Sequence, residues 1–156
     1  MYARLKLGAG KRVLYADRVK APPLRGTFRV ILAAVMISVG MLHLVKPDGF
    51  LKIVPHFLPA PLALVIVSGV FEILGGVGLL VPVARRPASL GLIALYFAVF
   101  PANLNMALND IQPAASHVPI ALLWLRLPFQ IVFIAWALWV GREDVVPGKH
   151  ASRSLP

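Results

Sequence analysis

Long apolar runs, separated by short polar or proline-containing stretches, dominate the chain. Four of these runs approach the roughly 20 residues that a helix needs to cross the hydrocarbon core of a bilayer. They cover residues 27–45, 62–83, 88–108 and 119–140. None alternates apolar and polar positions as a strand of a membrane barrel does, so helices are the spanning form we expect. The pattern therefore predicts an all-α, integral membrane four-helix bundle.

Composition strengthens this prediction and excludes several kinds of chemistry. Of the 156 residues, 59% are hydrophobic, whereas soluble domains have about 45–50%. The mean hydropathy is +0.81. The length suits one domain. The chain has no cysteine, which excludes disulfides, thiolate metal ligands and dithiol redox chemistry within it.

The distribution of basic residues predicts the orientation of the bundle. On one side of the predicted membrane lie thirteen Lys and Arg residues, and on the other side only Lys46 and Lys52. Because basic residues are enriched in cytoplasmic segments, both termini are predicted to be cytoplasmic. The chain then divides into a basic segment (residues 1–26), a transmembrane domain (27–141) and a tail (142–156) that we expect to be disordered. We expect the basic segment to contact anionic lipid and not nucleic acid, since it holds no recognisable nucleic-acid-binding module.

The first outer loop, residues 46–61, has an unusual composition. Its sequence is KPDGFLKIVPHFLPAP, which is too apolar for a solvated loop and too short and rich in proline to span the membrane. It is predicted to form a short amphipathic segment at the outer interface. Two interpretations remain open, a packed cap over the bundle and a lid over a cavity between the helices.

Two charged residues, Glu72 and Arg126, lie inside the predicted spans. A charge at the centre of the bilayer costs roughly 2.5–3.5 kcal/mol on insertion scales. Opposite charges on two spans can reduce this cost by pairing. We therefore predict a direct or water-bridged ion pair between them, with Asn103, Gln130 or His43 as further partners.

Further polar residues fall at similar depth in the spans. With the predicted orientation they all lie in the outer half of the membrane or near its midplane. The candidate ligand-binding residues are His43, Glu72, Asn103, Asn105, Arg126 and Gln130. Residues four apart share a helix face, which places Ser68 beside Glu72 and Gln130 beside Arg126. The cluster is either a set of structural hydrogen bonds between helices or a binding or proton-handling site for a polar ligand head.

Small residues and prolines predict how the spans pack around this cluster. The second span contains Gly69, Gly75, Gly76 and Gly78, so we predict that it is the central, closely packed helix. Pro101 and Pro128 are predicted to bend the third and fourth spans and to free backbone carbonyls near the cluster.

Catalytic and metal sites find little support in the sequence. His43, His56 and His117 all fall on the outer side, but their spacing lacks a ligand pattern such as HxxxH, so we predict no metal site. The sequence contains no flavin, haem or nucleotide motif, and the GGVG run lies within a span, where it indicates helix packing. We name no catalytic residue, and no cofactor is evident apart from a quinone or lipid as a candidate ligand.

Four motifs together resemble the DoxX-like family of small bacterial membrane proteins. In order they are GMLHLVKPDGFLKIVPHFLPAP, SGVFEILGGVGLLVP, AVFPANLNMA and LWLRLPFQ. The resemblance covers residues 25–142. It implies a four-helix bundle in the bacterial inner membrane and an association with redox complexes, since the family is named after a membrane subunit of a thiosulfate:quinone oxidoreductase.

Three functions remain open on this basis. The first is a non-catalytic membrane subunit or scaffold with an intramembrane site for a polar-headed lipophilic ligand, for which a quinone is a candidate. The second is the membrane component of a quinone-linked oxidoreductase. The third is a transporter or channel for a small solute, formed by an oligomer. Candidate partners are the bilayer, a membrane or redox protein, and further copies of the chain.

Overall fold

The computed structural model describes residues 23–113 and 117–142, which form helices and loops without a strand. The predicted basic segment and tail fall mainly on residues 1–22 and 143–156, outside this part of the chain. The helices are α1 (Pro23–Val45), α2 (Asp48–Leu51), α3 (Pro61–Leu80), α4 (Arg85–Leu108) and α5 (Ile120–Val140). All except α2 are long and apolar enough to cross a membrane. The prediction of an all-helical chain with four membrane-length helices is confirmed.

Local sequence explains where α3 ends and α4 begins. α3 ends at Leu80, three residues earlier than predicted, because Val81 has extended backbone angles (φ −88°, ψ 116°). A residue before proline avoids the helical region, and Pro82 follows Val81. A single 3-10 turn, Pro82–Ala84, then leads directly into α4. The connection between the two helices is therefore a tight turn.

Glycines of α3 allow its close contact with α1. A Cβ added to Gly40 of α1 would lie 2.6 Å from the backbone oxygen of Gly69. A Cβ added to Gly76 would lie 2.8 Å from the backbone oxygen of Ala33. The residue pairs run in opposite directions along the two helices, so α1 and α3 are antiparallel. The close backbone approach is typical of membrane helices with small residues at their interface.

The other face of α3 packs on α4, and α5 completes the bundle. Gly75 and Gly78 of α3 face Leu92 and Ala88 of α4, so α3 lies between α1 and α4 as its glycines predict. α5 joins α4 through a hydrogen bond of 2.7 Å from Ser89 Oγ to the carbonyl of Ala137. The C-terminal end of α5 contacts α1, where Arg29 Nε donates to the carbonyl of Val140 at 3.0 Å.

The two ends of the bundle differ in charge and structure. One, which we call the arginine end, carries Arg25, Arg29, Arg85, Arg86 and Arg142. The other, the loop end, is formed by residues 46–60 and by the connection between α4 and α5. The main apolar core, which includes Leu32, Leu79 and Leu92, fills the arginine half. A smaller core around Met106 lies near the loop end.

The outer surfaces of the long helices are apolar. Phe71, Phe97 and Ile131 are exposed to between 55% and 69% of their area. A helix that is hydrophobic on all sides is expected in a large core or in a membrane. Together with the four membrane-length helices, these surfaces indicate a multi-pass membrane protein.

Candidate functional site

A cavity of about 470 Å³ lies between the helices in the loop half of the bundle. It is lined by all four long helices, by α2 and by the loop that follows α2. Its volume falls within the roughly 300–1,000 Å³ typical of small-molecule sites. Most of its walls are apolar. The polar side chains that line it are His43, Ser68, Glu72, Tyr96, Asn103, Arg126 and Gln130.

Five of the six candidate residues line this cavity, and Asn105 does not. Asn105 Nδ2 donates a hydrogen bond of 3.0 Å to the carbonyl of Ile53. Its side-chain oxygen accepts one of 2.8 Å from Asn109. Asn105 therefore holds the first outer loop against α4, while its neighbour Asn103 faces the cavity.

Glu72 contacts His43, which is the closest charged or titratable partner of its carboxylate. The Nδ1 atom of His43 lies 3.1 Å from Glu72 Oε2 and donates a hydrogen bond of 2.9 Å to the carbonyl of Val39. Because a carbonyl only accepts, Nδ1 carries a hydrogen. That hydrogen points to Val39, and Glu72 Oε2 accepts no hydrogen bond within the described residues. The Glu72–His43 contact is thus electrostatic.

The glycine contact between α1 and α3 brings these two side chains together. A Cβ added to Gly69 would lie 2.6 Å from the Cβ of His43. A larger residue at position 69 would push α1 away and carry His43 with it. Both His43 and Glu72 are buried, each with 8% of its area exposed. In such surroundings the interaction of a charge with a nearby opposite charge or hydrogen-bond donor is stronger than it is in water.

Arg126 makes no direct ion pair with Glu72, so this part of the prediction is wrong. Within residues 23–113 and 117–142, no carboxylate oxygen lies within 4.0 Å of its guanidinium. Its Nη1 atom faces the sulfur of the fully buried Met106 at 3.8 Å. α5 packs mainly on α4 and less extensively on α1, whereas the main neighbours of α3 are α1 and α4. The water-bridged form of the pair stays a prediction.

Asn103 and Gln130 form a chain of amide hydrogen bonds between α4 and α5. Asn103 Nδ2 donates to Gln130 Oε1 at 3.3 Å, and Gln130 Nε2 donates to the carbonyl of Tyr96. Pro101 has no N–H, so the carbonyl of residue 97 lacks its usual helical donor. The carbonyl of Tyr96 lies one residue earlier and accepts a side chain. The carbonyl that Gln130 uses is thus not the one that Pro101 frees, and the expectation attached to Pro101 stays a prediction.

Three residues beside the cavity were not among the candidates. Tyr96 Oη donates to the sulfur of Met36 at 3.1 Å, and Ser68 Oγ donates to the carbonyl of Val65 at 2.8 Å. Phe50 of α2 stacks on the imidazole of His43, with ring centroids 3.7 Å apart. The position of Ser68, one turn before Glu72, is a sequence signal for its place on this face. No comparable signal predicts the stacking of Phe50 on His43.

The first outer loop forms part of the cavity wall. Phe50, Ile53, Val54 and Leu58 all line it, and Ile53 is buried. A Cβ added to Gly49 would lie 2.7 Å from the carbonyl of Pro113 in the second outer loop. The two loops thus touch at the loop end. The loop thus lines the cavity and also packs through Ile53 against the smaller core, so the cap and the lid interpretations both stay predictions.

The described residues contain no group of three or more His, Cys, Asp or Glu side chains that could hold a metal ion. His56 and His117 therefore do not join His43 in a shared cluster. The titratable side chains that line the cavity are His43, Glu72, Tyr96 and Arg126. They offer one carboxylate, one imidazole, one phenol and one guanidinium for binding a polar head group.

Comparison with known proteins places the chain in a family. A family model described as a domain of unknown function, DUF8561, matches residues 32–141. No curated protein and no solved structure matches the chain. The matched range contains every residue that lines the cavity. The resemblance to DoxX-like proteins stays a prediction.

Proposed function

The chain belongs to the DUF8561 family, and we propose that it is a non-catalytic membrane subunit or scaffold that holds a small lipophilic ligand with a polar head. The observation that carries this proposal is the cavity itself. It combines apolar walls with Glu72, Arg126 and Asn103. A pocket with apolar walls and a few convergent polar groups is the usual form of a small-molecule site. A quinone or a lipid has this chemistry.

The rim of the cavity supports entry from the membrane. Leu64 and Val67 of α3 line the cavity, as does Phe129 of α5. These three side chains are also exposed on the outside of the bundle, to between 42% and 50%. Residues that line a cavity and are exposed mark where it opens. Because these openings lie on membrane-length helices, a ligand would pass through them from lipid.

A test of this function uses two serines at comparable positions. Ser68 lines the cavity, whereas Ser38 is exposed on α1 and does not line it. We expect a lipophilic molecule to copurify with the gently extracted wild-type protein and with Ser38→Leu, and to be lost from Ser68→Leu, where the added side chain fills cavity volume. Mass spectrometry of small molecules, normalised to protein, measures this.

The same experiment can contradict the proposal. Identical molecules in equal amounts on all three proteins would show that the cavity is not their site. Ser68 Oγ bonds to a carbonyl of its own helix, so its replacement breaks no contact between helices. A melting temperature close to that of wild type is therefore expected for Ser68→Leu, and it confirms that any loss of ligand is not a loss of fold.

One observation favours a second function, the membrane component of a quinone-linked oxidoreductase. The Glu72–His43 contact lies at the cavity, and a carboxylate beside an imidazole can take up or release a proton. Reduction of a quinone consumes protons, so such a pair is suited to the head group of a quinone. Identification of the copurified molecule as a quinone would favour this function over simple lipid binding.

We further propose that the protein lies in a bacterial inner membrane with its loop end outside. Five arginines lie at the arginine end, whereas Lys46 and Lys52 are the basic residues of the described loop end. The positive-inside rule supports cytoplasmic termini. In this orientation α2 and the apolar loop after it would lie at the outer interface.

Reporter fusions test the orientation. Green fluorescent protein fused after Pro156 is expected to fluoresce, and alkaline phosphatase at the same point is expected to be inactive. The phosphatase folds only outside the cytoplasm, so activity there would reverse the proposed orientation. Insertion of the phosphatase after Asn109, in the second outer loop, is the matched control and is expected to give activity.

A further inference from the structure

Most polar groups that line the cavity are already hydrogen-bonded within the protein. Ser68 bonds to the carbonyl of Val65, and Tyr96 bonds to the sulfur of Met36. Asn103 donates to Gln130, which donates to the carbonyl of Tyr96. These groups have their main donors in use. They therefore shape the cavity and hold its helices more than they offer free donors to a ligand.

Arg126 differs from these groups. Its guanidinium carries five N–H donors and keeps its charge at any ordinary pH. Its described polar contact is the sulfur of Met106 at 3.8 Å, and a thioether is a weak acceptor. An unpaired cation is costly in a membrane. Arg126 is exposed over part of its surface, and its side chain lines the cavity beside the fully buried Met106.

The two charged groups of the cavity differ in their neighbours. Glu72 has Nδ1 of His43 3.1 Å from its Oε2 atom, although this oxygen accepts no hydrogen bond within the described residues. Arg126 has no carboxylate within 4.0 Å in the described part of the chain. Tyr96 is the remaining titratable group of the lining, and its hydroxyl is bonded to Met36. Arg126 is therefore the cation of the lining, and within the described residues it has no carboxylate at close range.

We propose that the ligand is a lipophilic carboxylate with a single apolar chain, and that Arg126 binds its head group. This proposal rests on the proposed function, since it assigns the head group of the ligand in the same cavity. A guanidinium matches a carboxylate through two parallel charge-assisted hydrogen bonds. The volume of about 470 Å³ accommodates one chain or ring system more readily than the two chains of a phospholipid.

The apolar walls are suited to such a chain. Val39 of α1, Val99 of α4 and Phe133 of α5 all line the cavity. At the loop end, Phe50 and Leu58 cover it. The chain would lie against these side chains or leave through the rim at Leu64 and Val67, while the carboxylate stays at Arg126. A fatty acid from the surrounding membrane fits this description.

The test compares probes with the same chain and different head groups. Wild-type protein is placed in nanodiscs of zwitterionic lipid. The pH is kept above the ordinary titration range of a carboxylate. The probes are dodecanoate, dodecanol and dodecyltrimethylammonium, with phosphatidic acid as a two-chain anion. Binding is measured by the shift in melting temperature and by native mass spectrometry, with empty nanodiscs to correct for partition into lipid.

Dodecanoate is expected to bind about tenfold more tightly than dodecanol, the scale of one charge-assisted interaction. Arg126→Gln should remove this difference while leaving dodecanol binding unchanged. Arg126→Lys should keep part of it, since lysine retains the charge and loses the paired geometry. Arg86→Gln is the matched control, because Arg86 is exposed at the arginine end, and it should behave as wild type.

Each other result has a definite meaning. Equal binding of dodecanoate and dodecanol, unaffected by Arg126→Gln, would overturn the head-group assignment and leave the cavity function intact. Tighter Arg126-dependent binding of phosphatidic acid would overturn the single-chain assignment. If no probe binds, or if Ser68→Leu binds every probe as wild type does, the cavity function fails as well. If Arg126→Gln does not fold, the affinity of Arg126→Lys for dodecanoate tests the head-group assignment instead. An affinity between those of wild type for dodecanoate and for dodecanol supports the assignment, and an affinity equal to that of wild type for dodecanoate overturns it.

Discussion

Gly40→Leu is expected to prevent the bundle from folding, or to lower its stability by about 3 kcal/mol, the upper part of the range for overpacked cores. The new Cβ would lie 2.6 Å from the backbone oxygen of Gly69 and 2.8 Å from Ile73. A backbone oxygen within a helix cannot rotate away, so α1 and α3 must separate. Yield and monodispersity on size-exclusion chromatography, followed by thermal melting in the same detergent, measure the effect.

Gly26→Leu and Gly91→Leu provide matched controls for this substitution. Both glycines lie in membrane-length helices, and a Cβ added to either would meet nothing within 4 Å. Leucine favours a helix by up to about 1 kcal/mol relative to glycine, so these variants should be as stable as wild type or slightly more stable. Gly40→Leu with the melting temperature of the controls would contradict the close α1–α3 contact.

The separation of α1 and α3 would also affect the cavity. His43 lies one turn beyond Gly40 on α1, and its Cβ sits over Gly69. A shift of α1 would therefore move His43 away from Glu72 and disturb the stacking of Phe50 on the imidazole. The small residues that hold the two helices together thus also set the geometry of the polar site.

The helices could be predicted from the sequence because a bilayer leaves few alternatives. Every backbone polar group in lipid needs a partner, so an apolar run of about 20 residues becomes a helix. The glycines of α3 then indicated its close packing, which the contacts of Gly69 and Gly76 show. The end of α3 and the start of α4 each differ by three residues from the prediction, because Pro82 keeps Val81 extended and α4 follows after a single turn.

The members of the site could be predicted more fully than their contacts. Glu72 and Arg126 are recognisable because charges are rare in apolar runs, and helical spacing adds Ser68 and Gln130. Sequence gives the depth of each side chain along its helix. It does not give which helices are neighbours, so the sequence predicts Arg126 as the main partner of Glu72 and His43 as a further one, whereas His43 on the adjacent α1 is the closer partner.

The first outer loop shows where sequence gives least information. Its apolar composition predicts that it packs against something. The stacking of Phe50 on His43 and the hydrogen bond from Asn105 to Ile53 depend on tertiary contacts between residues distant in the chain. No periodicity marks them in advance. Both the cap and the lid interpretations are consistent with the sequence, and the loop both lines the cavity and packs through Ile53 against the smaller core.

The contacts of Glu72 predict which pairs of substitutions will be energetically coupled. His43→Leu removes the imidazole whose Nδ1 lies 3.1 Å from Oε2 and leaves a carboxylate with 8% of its area exposed, which should cost about 1–3 kcal/mol, as for a buried polar group without a partner. Glu72→Leu should cost less, since His43 keeps its hydrogen bond to the carbonyl of Val39. Replacing both partners with apolar residues can be nearly neutral.

Two double-mutant cycles therefore separate the possible partners of Glu72. The His43→Leu/Glu72→Leu cycle should show a coupling energy of about 1–3 kcal/mol, because neighbouring residues are not additive. The Arg126→Leu/Glu72→Leu cycle should be additive to within about 0.5 kcal/mol, since no direct pair joins these side chains. Unfolding free energies from denaturant titration in mixed micelles measure both, with Ser38→Leu as the control for an added leucine. Stronger coupling of Glu72 to Arg126 than to His43 would show that the two charges meet across the cavity in the membrane, through water or directly, and would leave Arg126 without the free charge on which the carboxylate assignment depends.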